Sequence, residues 1–424
     1  MVVKTERGIK SLNTTKEVYP TIKRYIREAR IAKQEGTRPI SWVTASGIQE
    51  IIWTMDNFIA LYPENFNGQC AAKQISLPLM EEAERRGLSR ELCSYARNTI
   101  GYMYGCKDLS LPYPGGGLLE PDFLLLDNGN CTSVHNKWWR IMENHFRVPL
   151  FMLDIPILTP TRMNRDNVER HYIDFVISQI KACFAFLEDQ TGSRMDMDKF
   201  KEVVRLSDRV GELFDQFLEL RKAKPCPVGG EDTVVLPAVM VYFTGTKTGV
   251  DFFERLIKET EERVKDHEGV IKDEKYRLLV DNIPPFYTLG LFNYFQKYGG
   301  VSVAETYILS FNYNWRRMDA DIPFESLARK YLAHWYTLPL EEHVELVCRM
   351  VEDYEIDGVV CLALRSCKVY TLHQWTLKNA LEKRYGIPTM IIELDMVDPR
   401  DYSDGQVKGR IDAFMELLDK KKRR

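Results

Sequence analysis

A chain of 424 residues carries 58 Lys and Arg against 61 Asp and Glu, a formal charge of −3, with 45% hydrophobic and 28% charged residues. That length exceeds what one hydrophobic core serves and divides into two or three domains, and the near-neutral charge excludes a global field that recruits nucleic acid or an acidic membrane. MVVKTERGIKSLNTTKEVYP lacks the apolar centre of a signal peptide, and the longest apolar runs, such as LLEPDFLLL, stop short of a membrane span. The expectation is a cytoplasmic protein with no nucleic-acid or membrane partner, its terminal KKKRR a solvated helix end. Disulfides are rare in that compartment, so the nine cysteines read as core thiols, metal ligands or nucleophiles.

In chain order, TKEVYPTIKRYIREARIAKQEG has the spacing of a charged amphipathic helix ended by Gly36. Residues 40–45 read as a strand, IQEIIWTMDNF as a helix and residues 58–62 as a second strand. Two helical stretches follow, and the second, SRELCSYARNTIGYMYG, takes Ser89 as its cap. The loop LPYPGGGLLEP leads into the strand DFLLLD, then Cys131, the helix SVHNKWWRIMENHF with Trp138 and Trp139 set to pack on its sheet, and the strand PLFMLDIP. Four buried-looking strands separated by helices predict a parallel sheet covered on both faces. Residues from about 160 to 235 carry long helical patterns without strand signals, and KPCPVGGEDT marks a domain transition.

The last third repeats the first pattern: YRLLVD, VSVAETYI, GVVCLALR and PTMIIELD read as strands between helices. Cys367 follows the third of these as Cys131 follows the third of the first set. The predicted class is therefore α/β, two lobes with four-stranded parallel sheets plus helical N-terminal and middle segments, divided as 1–37, 38–160, 161–235 and 236–424. Ligands of open parallel sheets sit at strand carboxyl ends, so facing lobes bring Cys131 and Cys367 to one cleft.

Cys183, Cys226 and Cys348 fall in helical or linker context and Cys361 inside a strand, the setting of structural thiols, while Cys70 and Cys106 give a weaker signal of the same kind. Cys93, Cys131 and Cys367 lie in polar surroundings, ELCSYAR, NGNCTS and RSCKVYT, two at strand ends and one in the first turn of a helix, where the thiolate is favoured. Their wide spacing does not match zinc sites built on close pairs. It leaves two readings open: three unrelated thiols, or a 4Fe–4S cluster with one iron uncovered. FTGTKTGVDFF lacks P-loop spacing and reads as a plain turn, and His135 and His373 read as cap or surface residues.

YPENFNGQCAAK, ELCSYARNTIGY, NGNCTSVHNKWW with VPLFMLDIP, and RSCKVYT with GIPTMIIELDMVDPRDYSDGQVKGRIDAF together resemble the 2-hydroxyacyl-CoA dehydratase and benzoyl-CoA reductase family, D-component type, over residues 38 to 420. The resemblance implies Rossmann-like lobes and a 4Fe–4S cluster on Cys93, Cys131 and Cys367. It implies catalytic polar groups at the open iron, Ser46 of WVTASG and Glu64 of YPEN. It further implies an acyl-CoA substrate, a paralogous second subunit in a heterodimer or heterotetramer, and an ATP-dependent iron–sulfur activator supplying a low-potential electron. That electron enters the thioester carbonyl as a ketyl radical anion, which in dehydratases expels a hydroxyl group and in ring reductases leaves the electrons in the product. The chain departs from the pattern at Phe66, where dehydratase relatives often carry histidine, while YPEN and SCKVYT lean towards the dehydratases. The expected function is a dehydratase iron–sulfur subunit. The alternatives are a ring-reductase subunit, an electron-relay subunit, or a metal-free two-lobe binding protein.

Overall fold

The computed structural model describes residues 7–45, 47–129, 131, 134–157, 170–311, 317–333 and 338–423. Ser46 lies outside the described residues. Strands β1 (Ile40–Val43), β2 (Ile59–Leu61), β3 (Phe123–Asp127) and β4 (Leu150–Leu153) form one parallel sheet in the order β2-β1-β3-β4. Strands β5 (Tyr276–Asp281), β6 (Gly300–Glu305), β7 (Gly358–Leu364) and β8 (Thr389–Leu394) form a second in the order β6-β5-β7-β8. The expected α/β class with two Rossmann-like lobes is what the chain adopts, and the two sheets share one connectivity. Chain direction across each sheet reverses at its centre, between β1 and β3 and between β5 and β7, which opens a crevice beyond the carboxyl ends of those strands.

Period-two alternation fills both faces of the first sheet. Trp42, Leu124 and Leu126 point to one side and meet Trp138, Trp139 and Met142 of the helix His135–Phe146. Val43, Phe123 and Leu125 point to the other and join Ile180 and Phe184 of the helix Arg170–Thr191. Burial on both sides is why β3 and β5 are buried at every residue and carry no polar alternation.

The helices Arg170–Thr191, Met197–Leu220 and Lys247–Lys265 supply the other side of that core, which runs continuously from Leu12 to Leu418. Asp196 caps the second of them, accepting the amides of Asp198 and Lys199 at 2.8 and 3.0 Å. Thr246 caps the third by accepting the Gly249 amide at 3.2 Å. FTGTKTG is thus a self-capped turn, its N-terminal donor spent on its own side chain. No helix among the described residues is long and apolar enough to cross a membrane.

One predicted boundary is corrected. The helix expected over SRELCSYARNTIGYMYG begins at Ser94 instead of following a Ser89 cap, and Cys93 is its N-cap rather than a residue of its first turn. Ser89 instead starts a tight turn, its carbonyl accepting the Leu92 amide at 3.1 Å and its hydroxyl the Glu91 amide at 3.2 Å. In the turn, Arg90 and Glu91 pair with charges of the second lobe, Asp401 and Arg365.

Candidate active site between the lobes

The two crevices face each other across one cavity of about 120 Å³. Ala45, beyond β1, and Cys131, beyond β3, line it from the first lobe, and Ile283, beyond β5, and Cys367, beyond β7, from the second. Cys93 and Glu64 enter from helix starts, and the helix Val18–Glu35 contributes Tyr19 and Ile22. The fold therefore brings Cys93, Cys131, Cys367 and Glu64 together from segments spread over three hundred residues. Cys70, Cys183, Cys226, Cys348 and Cys361 are buried elsewhere in the packed core.

Cys93 and Cys367 feel the other cavity thiols. Burial pushes the Cys93 thiol far above its usual range, and the nearness of Cys367 and Cys131 adds to the shift. Burial pushes Cys367 up to about 12, with Cys131 and Asp395 adding to it. Amides oppose this: those of Ala96 and Tyr95 face the Cys93 sulfur, and those of Tyr370 and Val369 face Cys367. Three thiols gathered on one cavity, with backbone donors pointing at the sulfurs of Cys93 and Cys367, form a donor set suited to a cationic, thiophilic centre. Thiolate ligation and N–H donors to sulfur are the features by which iron–sulfur clusters are held and tuned.

Glu64 sits in the first turn of the helix Pro63–Ala72, whose Asn65, Gly68 and Gln69 also face the cavity. Burial raises its pKa to about 8, and the amides of Glu64 and Ala45 pull it only part of the way back without closing a hydrogen bond to either oxygen. His135 Nε2 lies 3.6 Å from a Glu64 oxygen. Burial lowers its pKa to about 4, so at neutral pH this is a neutral acid beside a neutral imidazole rather than an ion pair. Both carboxyl oxygens and His135 Nδ1 are buried without a protein partner. A catalytic role or a bound water or ion is among the explanations for such orphans in native interiors.

The expectation that His135 is a cap or surface residue is therefore overturned. It follows Cys131 by one helical turn, its amide donating to the Cys131 carbonyl at 3.1 Å. That i, i+4 spacing was the signal available in the sequence. Gly47 marks the same crevice. Its φ of +121° and a would-be Cβ only 1.7 Å from Asp127 Oδ2 leave no room for a side chain where the β1 loop crosses the end of β3.

The model of the family described as 2-hydroxyglutaryl-CoA dehydratase, D-component, matches residues 48–418. The chain belongs to this family. It is 30% identical over 397 residues to the (R)-2-hydroxyisocaproyl-CoA dehydratase alpha subunit of Clostridioides difficile, covering 92% of this chain and 93% of that one. It is 28% identical to one of the subunits of benzoyl-CoA reductase from Thauera aromatica (92% and 91% covered) and 29% to the (R)-phenyllactyl-CoA dehydratase alpha subunit of Clostridium sporogenes (94% and 96%). The chain is thus an enzyme subunit of the 2-hydroxyacyl-CoA dehydratase kind, with benzoyl-CoA reductase as the alternative.

Two further residues of this D-component family member are clarified by the structure. Phe66 turns away from the cavity into the core, its ring edge-on to Tyr102 at 4.8 Å. His373, expected as a cap or surface residue, occupies an N-cap position but makes no cap bond and is buried. It meets Asp281 at 3.0 Å and stacks on His343 with ring centroids 3.9 Å apart. These three place candidate ligand atoms within 4.8 Å of one another. Asp281 already accepts from Thr306 and Gln374 at 2.9 and 3.2 Å, however, so the group reads as an anchor for the end of β5.

Charged residues clasp the lobes around the thiols. Buried Arg97 reaches Glu84 at 2.9 Å and Asp398 of the second lobe at 3.0 Å. Arg400 returns to Glu84 at 2.9 Å, and Arg365, two residues before Cys367, pairs with Glu91 at 2.6 Å, two residues before Cys93. Partners three hundred positions apart leave no local pattern, which is why the sequence did not announce them.

Proposed function

We propose that this subunit dehydrates a 2-hydroxyacyl-CoA with an apolar acyl group, at a 4Fe–4S cluster held by Cys93, Cys131 and Cys367. It acts in the cytoplasm with a paralogous second subunit and an ATP-dependent iron–sulfur activator. The observation that carries the reading is the convergence of three thiols and an unpartnered, protonated carboxyl group on one cavity between the lobes. When bound, the cluster supplies a low-potential electron and a Lewis-acidic iron for the thioester carbonyl oxygen.

The protein's own groups do the rest. Glu64 holds a proton at neutral pH and faces the cavity, as a general acid for a departing hydroxyl group must. Neutral His135 stands 3.6 Å from it as the next group to exchange that proton. Ser46, assigned by resemblance, follows the cavity residue Ala45 as a third polar candidate. Apolar walls, among them Ile22, Val235, Phe286 and Met396, keep water from the reacting carbonyl.

The walls also argue for the substrate class. Among the described residues, no lysine or arginine lines the cavity, so a second carboxylate on the acyl group meets no cation. Anaerobic turnover with the second subunit and the activator tests this directly. An apolar 2-hydroxyacyl-CoA is expected to exceed 2-hydroxyglutaryl-CoA in kcat/KM by about 100-fold or more, the scale set by burying an unpaired charge. Equal turnover contradicts the reading. Aromatic wall residues Tyr19, Tyr307 and Phe311 also suit an aromatic acyl group, which keeps the ring-reductase reading in play. Product mass separates the two: loss of water for the dehydratase, gain of two hydrogens for the reductase.

A further inference from the structure

The segments that carry two of the three cavity cysteines are joined by a single hydroxyl group. Ser366, directly before Cys367, accepts the amide hydrogen of Ser94, directly after Cys93, at 3.0 Å. Its own hydroxyl hydrogen goes to Asp395 Oδ2 at the end of β8, and its amide donates to the same oxygen at 3.2 Å. The other oxygen of Asp395 accepts the amides of Val397 and Asp398 at 3.0 and 3.1 Å. Ser94, Ser366 and Asp395 are all buried.

The arrangement has physical consequences at both cysteines. The Ser94 amide is one of the donors that every helix leaves unpaired at its start. Cys93 occupies the N-cap of that helix but makes no side-chain cap bond. The acceptor comes instead from the opposite lobe. A hydroxyl that must accept from one lobe and donate to a carboxylate in the other has one orientation, so it sets the distance between the two backbones. The Asp395 carboxylate thereby sits against the residue that precedes Cys367, held by both its amide and its hydroxyl.

We propose that Ser366 and Asp395 are positioning residues for the cluster: their bridge fixes the separation of Cys93 and Cys367, and the Asp395 carboxylate holds the cluster's reduction potential down. The inference rests on the cluster reading above. A negative charge beside a redox centre disfavours its reduction, and net charge and hydrogen bonding around the sulfurs are the protein's main means of setting cluster potentials. The Arg97–Asp398 clasp locks the same lobes but ends on neither residue adjoining a cysteine.

The test uses full-length protein, reconstituted anaerobically with iron and sulfide, read by the rate of iron loss to a chelator and by a spectroscopically monitored redox titration. Asp395→Asn is expected to move the midpoint to more positive potential and Ser366→Ala to release iron about tenfold faster, the scale on which metal sites respond to outer-shell changes. Ser366→Thr, which keeps the hydroxyl, is expected to behave as the parent. Ser94→Pro removes the donated amide at a helix start that tolerates proline, leaving Asp395 and Ser366 untouched. It is expected to speed iron loss while moving the potential less than Asp395→Asn does. Parent-like potential and iron retention in Ser366→Ala, Asp395→Asn and Ser94→Pro would overturn the bridge alone. A parent protein that takes up no iron, or a Cys367→Ala variant that keeps all of it with the parent spectrum, would overturn the cluster reading and the bridge with it.

Discussion

At pH 7 a carboxyl group with a pKa of about 8 is mostly protonated, and Glu64 is kept in that state by burial that leaves its oxygens unpartnered. The same burial makes the residue costly to stability. In the unfolded chain the group ionises near pH 4, so the cost is absent below that pH, grows as pH rises, and levels off above about 8. Glu64→Gln is therefore expected to leave stability unchanged at pH 4 and to raise it at pH 8, on the order of 4 kcal/mol, while turnover falls at least about 100-fold. Denaturant unfolding at the two pH values checks the first part, and a gain independent of pH contradicts it. Activity of the parent enzyme is expected to decline as pH passes 8. His135 belongs to the same unit, yet it reads as a surface residue in the sequence, which does not show that its helix start points into a crevice.

The strands were the most legible elements, since runs such as FLLLD and YRLLVD, buried on both faces and bounded by Gly, Pro or Asn, have few other uses in an α/β chain. Helix starts were less so. Ser89 had the right chemistry for a cap, but it caps a tight turn of its own, accepting the Glu91 and Leu92 amides, and the helix waits until Cys93. The helix His135–Phe146 shows how element and site depend on each other. Trp138 and Trp139 seat it on the first sheet, and the same seating aims His135 at the cavity. Trp139→Ala is expected to cost about 3–5 kcal/mol by urea unfolding, the range for deleting a large aromatic side chain from a packed core. A cost under about 1 kcal/mol contradicts this packing.

For the whole molecule, the central feature is that the cavity exists only where two lobes meet, and charge holds them there. Burial pushes the Asp398 carboxyl up, but hydrogen bonds from Arg400 and the charges of Arg97 and Arg400 outweigh it and bring the pKa down to about 2. Its contribution to stability is thus complete above about pH 4 and is lost as pH falls through 2. Asp398→Asn leaves buried Arg97 with Glu84 as its charged partner among the described residues, and is expected to cost about 3 kcal/mol at pH 7 and much less at pH 2. Of the site, the cysteines were legible because polar neighbours and the family's ordered motifs coincide at Cys93, Cys131 and Cys367. The clasp, the Ser366 bridge and the Glu64–His135 pair were not, because each joins residues that only the folded lobes bring together. The central claim is the cluster on those cysteines, and iron with acid-labile sulfide, measured on protein purified without oxygen, tests it most directly. About four irons per chain are predicted for the parent and for Cys183→Ala, with the cluster lost or converted in Cys93→Ala, Cys131→Ala and Cys367→Ala. An iron-free, folded parent that cannot be reconstituted, or equal effects in all four variants, would contradict the account.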